Sequence, residues 1–178
     1  IVATTDVTIN GFYGNIDGAG YVKIYYRNGT YVGNEANPGA WTFVDSAMVT
    51  GVASTPTLIP IPLSIPIPNG QTVAFYITGN GSGAAVDYTD GTTEGAMFRY
   101  DGLITLNEGK GVSYPFGNTY TPRIWNGTID YCMGITAIEP HDANLASVNV
   151  FPNPFNATAT FAIQTQQPVN DLQLSIYD

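Results

Sequence analysis

Charge is what this sequence has least of. Asp, Glu, Lys and Arg make up 11% of its 178 residues, against roughly 25% in ordinary soluble domains. That excludes coiled coils and charge-rich helical proteins. Only five residues are basic (Lys23, Arg27, Lys110, Arg99 and Arg123) against 14 acidic ones, a net charge of −9. A phosphate-binding surface needs clustered Lys and Arg, so nucleic acid is excluded as a partner. A single cysteine, Cys132, leaves no intrachain disulfide, and the fold must rest on its core. Between Tyr131 and Met133 it reads as a small apolar strand residue. The one histidine, His141, falls in a linker-like stretch, which removes Ser/His/Asp and Cys/His arrangements from the main domain. No apolar run approaches the ~20 residues of a membrane-spanning helix, and no window shows helical periodicity. No leader pattern precedes Ile1, so any export signal is expected to have been removed or not included.

What is present points to strands. Hydrophobic residues at 44% and aromatics at 12% are enough to fold a chain. In Tyr21-Val-Lys-Ile-Tyr-Tyr-Arg27 the residues Val22, Ile24 and Tyr26 alternate with Tyr21, Lys23, Tyr25 and Arg27, the period-two signature of a half-buried strand. Further strands are expected over 6–13, 41–52, 71–78, 96–100, 103–107 and 123–131. Between them lie turn dipeptides such as Asn28-Gly29, Asn69-Gly70, Asp90-Gly91, Asp101-Gly102 and Asn126-Gly127, which tolerate positive φ. Many short strands with 20 glycines predict an all-β fold, an antiparallel β-sandwich of jelly-roll type. In Thr57 to Pro68 the residues Ile59, Ile61, Leu63, Ile65 and Ile67 take every second position, with Pro60, Pro62, Ser64, Pro66 and Pro68 between them. One face is then wholly aliphatic and every other position, bar Ser64, lacks an amide donor, as expected of an edge strand that resists pairing on its open side. A polyproline-type ligand is the alternative reading.

Composition shifts near Gly134. The expected organisation is a β-sandwich over 1–134, a linker over 135–147, and a strand-forming tail over 148–178. Val150-Phe-Pro-Asn-Pro-Phe-Asn156, the strand ending Thr160-Phe161, and Leu172-Gln-Leu-Ser-Ile-Tyr-Asp178 resemble the type A C-terminal sorting domain of proteins exported by the type IX secretion system of Bacteroidetes. The resemblance implies the first strands of a partial Ig-like domain, contact with the export machinery, and an extracellular or outer-surface location. Residues 1–131 resemble an uncharacterised β-sandwich module of secreted bacterial proteins, through Ile24 to Gly33, Pro38-Gly-Ala-Trp-Thr42, Ile65 to Tyr76, Tyr114-Pro-Phe-Gly117 and Pro122 to Ile129. That resemblance brings no catalytic residues.

Roughly 30 residues cannot enclose a core, yet Phe151, Phe155, Phe161, Ile163, Leu172, Leu174 and Ile176 are apolar. Such a tail is expected to dock on its own first domain, to add strands to another subunit, or to continue beyond Asp178. Strand exchange between identical chains is head-to-tail and builds filaments where it does not close. Among the loops, Asp87, Asp90 and Glu94 offer oxygen ligands for calcium without EF-hand spacing, and a solvated turn is the alternative. Glu35, Glu94 and Glu108 fall in Gly/Asn-rich loops, and nothing in their context pairs two of them as a glycosidase needs. Tyr21, Tyr25, Tyr31, Tyr114 and Tyr120 supply rings for sugar stacking, alongside Trp41, Phe116 and Trp125. The competing reading makes the tryptophans core and the tyrosines cross-strand pairs. Asp45-Ser46-Ala47 resembles the Bacteroidetes O-glycosylation motif, which marks Ser46 for modification. The expected function is a non-catalytic, extracellular structural module that self-associates by strand complementation, with no cofactor other than possible calcium. A glycan-binding or adhesion module is the alternative, and a fragment of a secreted enzyme the third.

Overall fold

The computed structural model describes residues 1–81, 83–134, 145–151 and 160–165. Contacts divide the chain into two compact units, Ile1–Ile135 and Thr136–Asp178. The first contains β1 (Val2–Ala3), β2 (Val7–Asn28), β3 (Thr42–Gly51), β4 (Pro56–Ile59), β5 (Ile65–Ile67), β6 (Val73–Gly79), β7 (Ala85–Asp90), β8 (Met97–Tyr100), β9 (Ile104–Asn107), β10 (Gly109–Val112), β11 (Thr119–Trp125) and β12 (Gly127–Met133). The fold is all-β, antiparallel and sandwich-like, as the turn spacing and alternation predict.

Its organising element is β2. The sequence predicts two strands, over 6–13 and 21–27, but the structure joins them into one of 22 residues, about 70 Å of chain if straight. Gly14, Gly18 and Gly20 look like punctuation, yet they lie inside this strand because both of its edges are paired. Along one edge run β3 (opposite Gly18 to Tyr26), β4 (Phe12 to Asn15) and β5 (Val7 to Ile9). Along the other run β6 (Val22 to Asn28), β7 (Asn15 to Asp17) and β12 (Val7 to Gly14). The two halves of β2 thus belong to two sheets, and Phe12 on the first meets Phe75 on β6 edge-on at 5.0 Å, with the buried aliphatics forming one cluster.

A bulge sets which residues face that core. Asp130 pairs with Gly11 but Tyr131 with Ile9, so Asn10 is an extra residue in the ladder, and its carbonyl accepts from Leu63 N–H at 2.9 Å. Before the bulge the odd residues Val7 and Ile9 are buried; after it the even ones are, Phe12, Ile16, Val22 and Ile24.

The proline-rich segment behaves as expected at the level of packing. Ile59, Ile61, Leu63, Ile65 and Ile67 are all buried, and the intervening prolines and Ser64 are exposed. It is two short strands rather than one, and among the described residues both ladder only with β2. The strand expected over 123–131 is likewise broken at Asn126 into β11 and β12. A separate antiparallel sheet has the order β1-β9-β8.

In the second unit β13 (Leu145–Phe151) pairs antiparallel with β14 (Thr160–Thr165), placing Val150 opposite Phe161 and Val148 opposite Ile163. The start of β13 at Leu145 makes the last three residues of the expected linker strand. Phe155, Leu172, Leu174 and Ile176 lie outside the described residues.

Gly18 sits at φ +86, where a Cβ would collide with the Gly83 carbonyl. Gly29 has a similar φ of +83 but open space around it. Gly29→Ala is therefore expected to cost about 1–2 kcal/mol, the backbone strain alone. Gly18→Ala should cost at least about 3 kcal/mol, since strain and a clash with main chain combine. Chemical denaturation of both variants checks the order, and equal losses would contradict it.

Candidate functional site

A cleft lies between two strands that each carry an unpaired edge among the described residues. Among the described residues β6 ladders only with β2 beyond its first residue, and β10 only with β11. Every residue of β6 from Val73 to Gly79, and of β10 from Gly109 to Val112, lines a common cleft of about 460 Å³. The Tyr76 hydroxyl donates to the Val112 carbonyl from one strand to the other, at 3.3 Å. The cleft's apolar wall includes Phe12, Phe75, Ile77, Val86 and Ile129. Arg123 and Trp125 also line it, and their Nε and Nε1 atoms are buried donors with no acceptor among the described residues. A buried donor left so costs about 1–3 kcal/mol.

Near this cleft Lys110 joins two carboxylates that lie far apart in the chain. Its Nζ is 2.6 Å from Glu35 Oε1 and 3.2 Å from Glu94 Oε1. The Tyr31 and Thr121 hydroxyls donate to Glu94 at 3.2 and 2.7 Å. The Lys110 hydrogen bond holds Glu35 below the usual carboxylate range. Burial would raise Glu94, but the hydrogen bonds from Thr121, Lys110 and Tyr31 outweigh it and hold this group low as well. Lys110 is raised in turn, chiefly by its bond to Glu35. Sequence spacing gave no sign of this pairing, which spans 75 residues. Burial, with the Glu94 charge beside it, pushes the Tyr31 phenol up. Glu108, only 5% exposed, caps the 91–95 loop by accepting from Thr92 N–H, Thr93 N–H and the Thr92 hydroxyl at 2.6, 2.8 and 3.0 Å.

The calcium loop is not assembled. Asp87 and Asp90 lie in β7 rather than in a loop, three positions apart and hence on opposite faces. Asp90 Oδ1 is 3.1 Å from Arg123 Nη1, and Glu94 faces Lys110. Among the described residues no three His, Cys, Asp or Glu side chains gather as a metal site would need.

The five tyrosines proposed as a sugar platform are also divided. Tyr21, Lys23 and Tyr25 share the outer face of β2, in register with Met48, Ser46 and Phe43 of β3. Tyr114 joins them from the loop after β10, its hydroxyl 2.9 Å from Lys23 Nζ. Tyr25 is not an open ring, because Tyr76 stacks on it at 5.7 Å and Phe116 meets its edge at 5.2 Å. Tyr31 belongs to the Lys110 cluster, and Tyr120 stands apart on β11, exposed. Trp125 packs edge-on against Phe12 at 6.1 Å as a core residue, and Trp41 donates to the Asn34 carbonyl at 2.8 Å. Ser46 is half-buried within β3, beside Lys23. Cys132 is a strand residue but exposed. No described helix is long and apolar enough to cross a membrane.

The chain matches no protein family, no curated protein and no solved structure.

The depressed carboxylates set the expected response to acid. Groups whose folded pKa lies below the unfolded value stabilise above the unfolded pKa, and that stability is lost as pH falls through the folded one. Melting temperature should therefore hold steady from neutrality to about pH 5 and drop below about pH 4.5. In Lys110→Met two carboxylates are left facing each other without a cation, so their pKa values rise. That variant should be less stable than the parent at pH 7 and should recover part of the difference as pH falls toward 5. A parallel fall of both proteins would show that Lys110 does not hold the pair.

Proposed function

We propose that the chain is a non-catalytic structural module, displayed outside the cell after type IX export, that associates with further copies by strand complementation. The cleft between the open edges of β6 and β10 carries this reading. Exposed strand edges are templates for another strand, and proteins ordinarily cover them with a bulge, a charge or a proline. The β4–β5 side is blunted in this way by prolines and β10 by the Lys110 charge and a register shift between Gly109 and Gly111, whereas β6 has no proline, charge or register shift. The non-catalytic part rests on the Lys110 cluster. A general acid must be protonated near the working pH, but the lysine keeps Glu35 and Glu94 ionised. The surface location rests on the sorting-domain resemblance of residues 150–178.

A second reading, glycan binding, is favoured by the Tyr21 ring, 51% exposed beside Lys23 and flanked by Met48 at 56%. A glycan array on which Tyr21→Ala abolishes binding would support it, and an array without hits would remove it.

Size-exclusion chromatography with light scattering tests the main reading. Mass should rise with concentration, and it should rise further on adding salt, which screens the repulsion between chains of net charge −9. A monomer at every concentration up to the solubility limit would overturn it.

A further inference from the structure

We infer that the cleft between β6 and β10 receives residues Leu172 to Ile176 of a second copy of this chain as an added strand. The inference rests on the self-association reading and supplies its donor.

The shape of the cleft selects the class of occupant. Two strand edges line it along their lengths; the Val112 carbonyl takes the Tyr76 hydroxyl and the Gly79 carbonyl that of Thr78, and each unpaired backbone N–H and C=O that remains is an obligatory hydrogen-bonding group. An extended segment satisfies both rows together, which a helix, with its own backbone groups already paired, does not. Its carbonyls, repeating at about 3.4 Å per residue, also supply the acceptors that Arg123 Nε and Trp125 Nε1 lack. Since the apolar wall lies toward the core, the entering strand must be apolar on one face and polar on the other.

The sequence then selects the donor. Leu172-Gln-Leu-Ser-Ile176 carries three aliphatics at period two with uncharged polar residues between them, and it has no proline. Other alternating runs are already engaged. Ile59 to Ile67 is buried in the core, Val22 to Tyr26 is paired on both edges, and Phe161 with Ile163 lies in β14 against β13. Asp171 and Asp178 flank the donor run, which places charge outside the apolar stretch.

The full chain and its Leu174→Asp variant are compared by sedimentation and by amide hydrogen exchange over 73–79 and 109–112. In the parent, protection of these amides should rise with protein concentration together with mass. Leu174→Asp should raise the association midpoint by roughly tenfold or more, the cost of one buried leucine, and abolish that protection while leaving the melting temperature of the first unit unchanged. A synthetic peptide of residues 171–178 should compete with parent self-association, and this arm stands even if the variant fails to fold. An unchanged midpoint and protection in Leu174→Asp, or a peptide without effect, would overturn the donor assignment and leave self-association through another segment standing. Protection that is independent of concentration in a monomer, and lost in Leu174→Asp, would make the occupant the chain's own tail and overturn the second-copy assignment. A monomer with unprotected β6 and β10 would overturn both this inference and the self-association reading.

Discussion

The backbone hydrogen bonding of β2 is the constraint from which the rest of the first unit follows. A strand of 22 residues has two rows of main-chain donors and acceptors, and leaving either row dry and unpaired would cost more than the domain's whole margin of stability. Six other strands are spent covering those rows, three to an edge. On each edge the strands follow one another in the chain from the C-terminal end of β2 toward its N-terminal end, β3, β4 and β5 on one side and β6, β7 and β12 on the other. With so many strands committed to β2, the outer edges of β6 and β10 face each other with no strand of the described residues between them. The cleft is thus a by-product of how the central strand is satisfied.

Part of this was legible in the residues. The aliphatic-proline alternation of 59–68 predicts both the buried row and the one-sided pairing, because proline's missing donor and the two-residue period are local properties. The alternation of Tyr21 to Arg27 likewise identifies the buried Val22 and Ile24. The continuity of β2 was not legible. Glycine usually marks a break, and only neighbours on both edges make Gly14, Gly18 and Gly20 tolerable within a strand. Asp87 and Asp90 look like loop ligands for the same reason, since pairing with β2 and β11 is what holds β7 extended through so polar a sequence.

The candidate sites show the same division. No local motif brings Glu35 to Lys110, so their association appears only in three dimensions. The alternation of Tyr21 to Arg27 sets Tyr21 and Tyr25 on the face opposite Val22 and Ile24, which is where the structure has them. Tyr76, however, packs against Tyr25 from its partner strand β6, and Phe116 reaches it from a loop about 90 residues later in the chain. The cleft has no residue signature at all, because an unpaired edge is defined by what does not lie beside it.

The bulge at Asn10 has a further consequence. It acts as a phase shifter: within the first half of the ribbon the oily parity changes, from Val7 and Ile9 to Phe12 and Ile16. Indels there would not behave like indels in a loop. Removing Asn10 would close the bulge and leave Val7 and Ile9 in regular phase with the buried Phe12 and Ile16, whereas adding one more residue beside it would turn Val7 and Ile9 toward water, unless the preceding segment swivelled as a whole. The beginning of this strand is therefore sensitive to an added residue in a way that a loop is not.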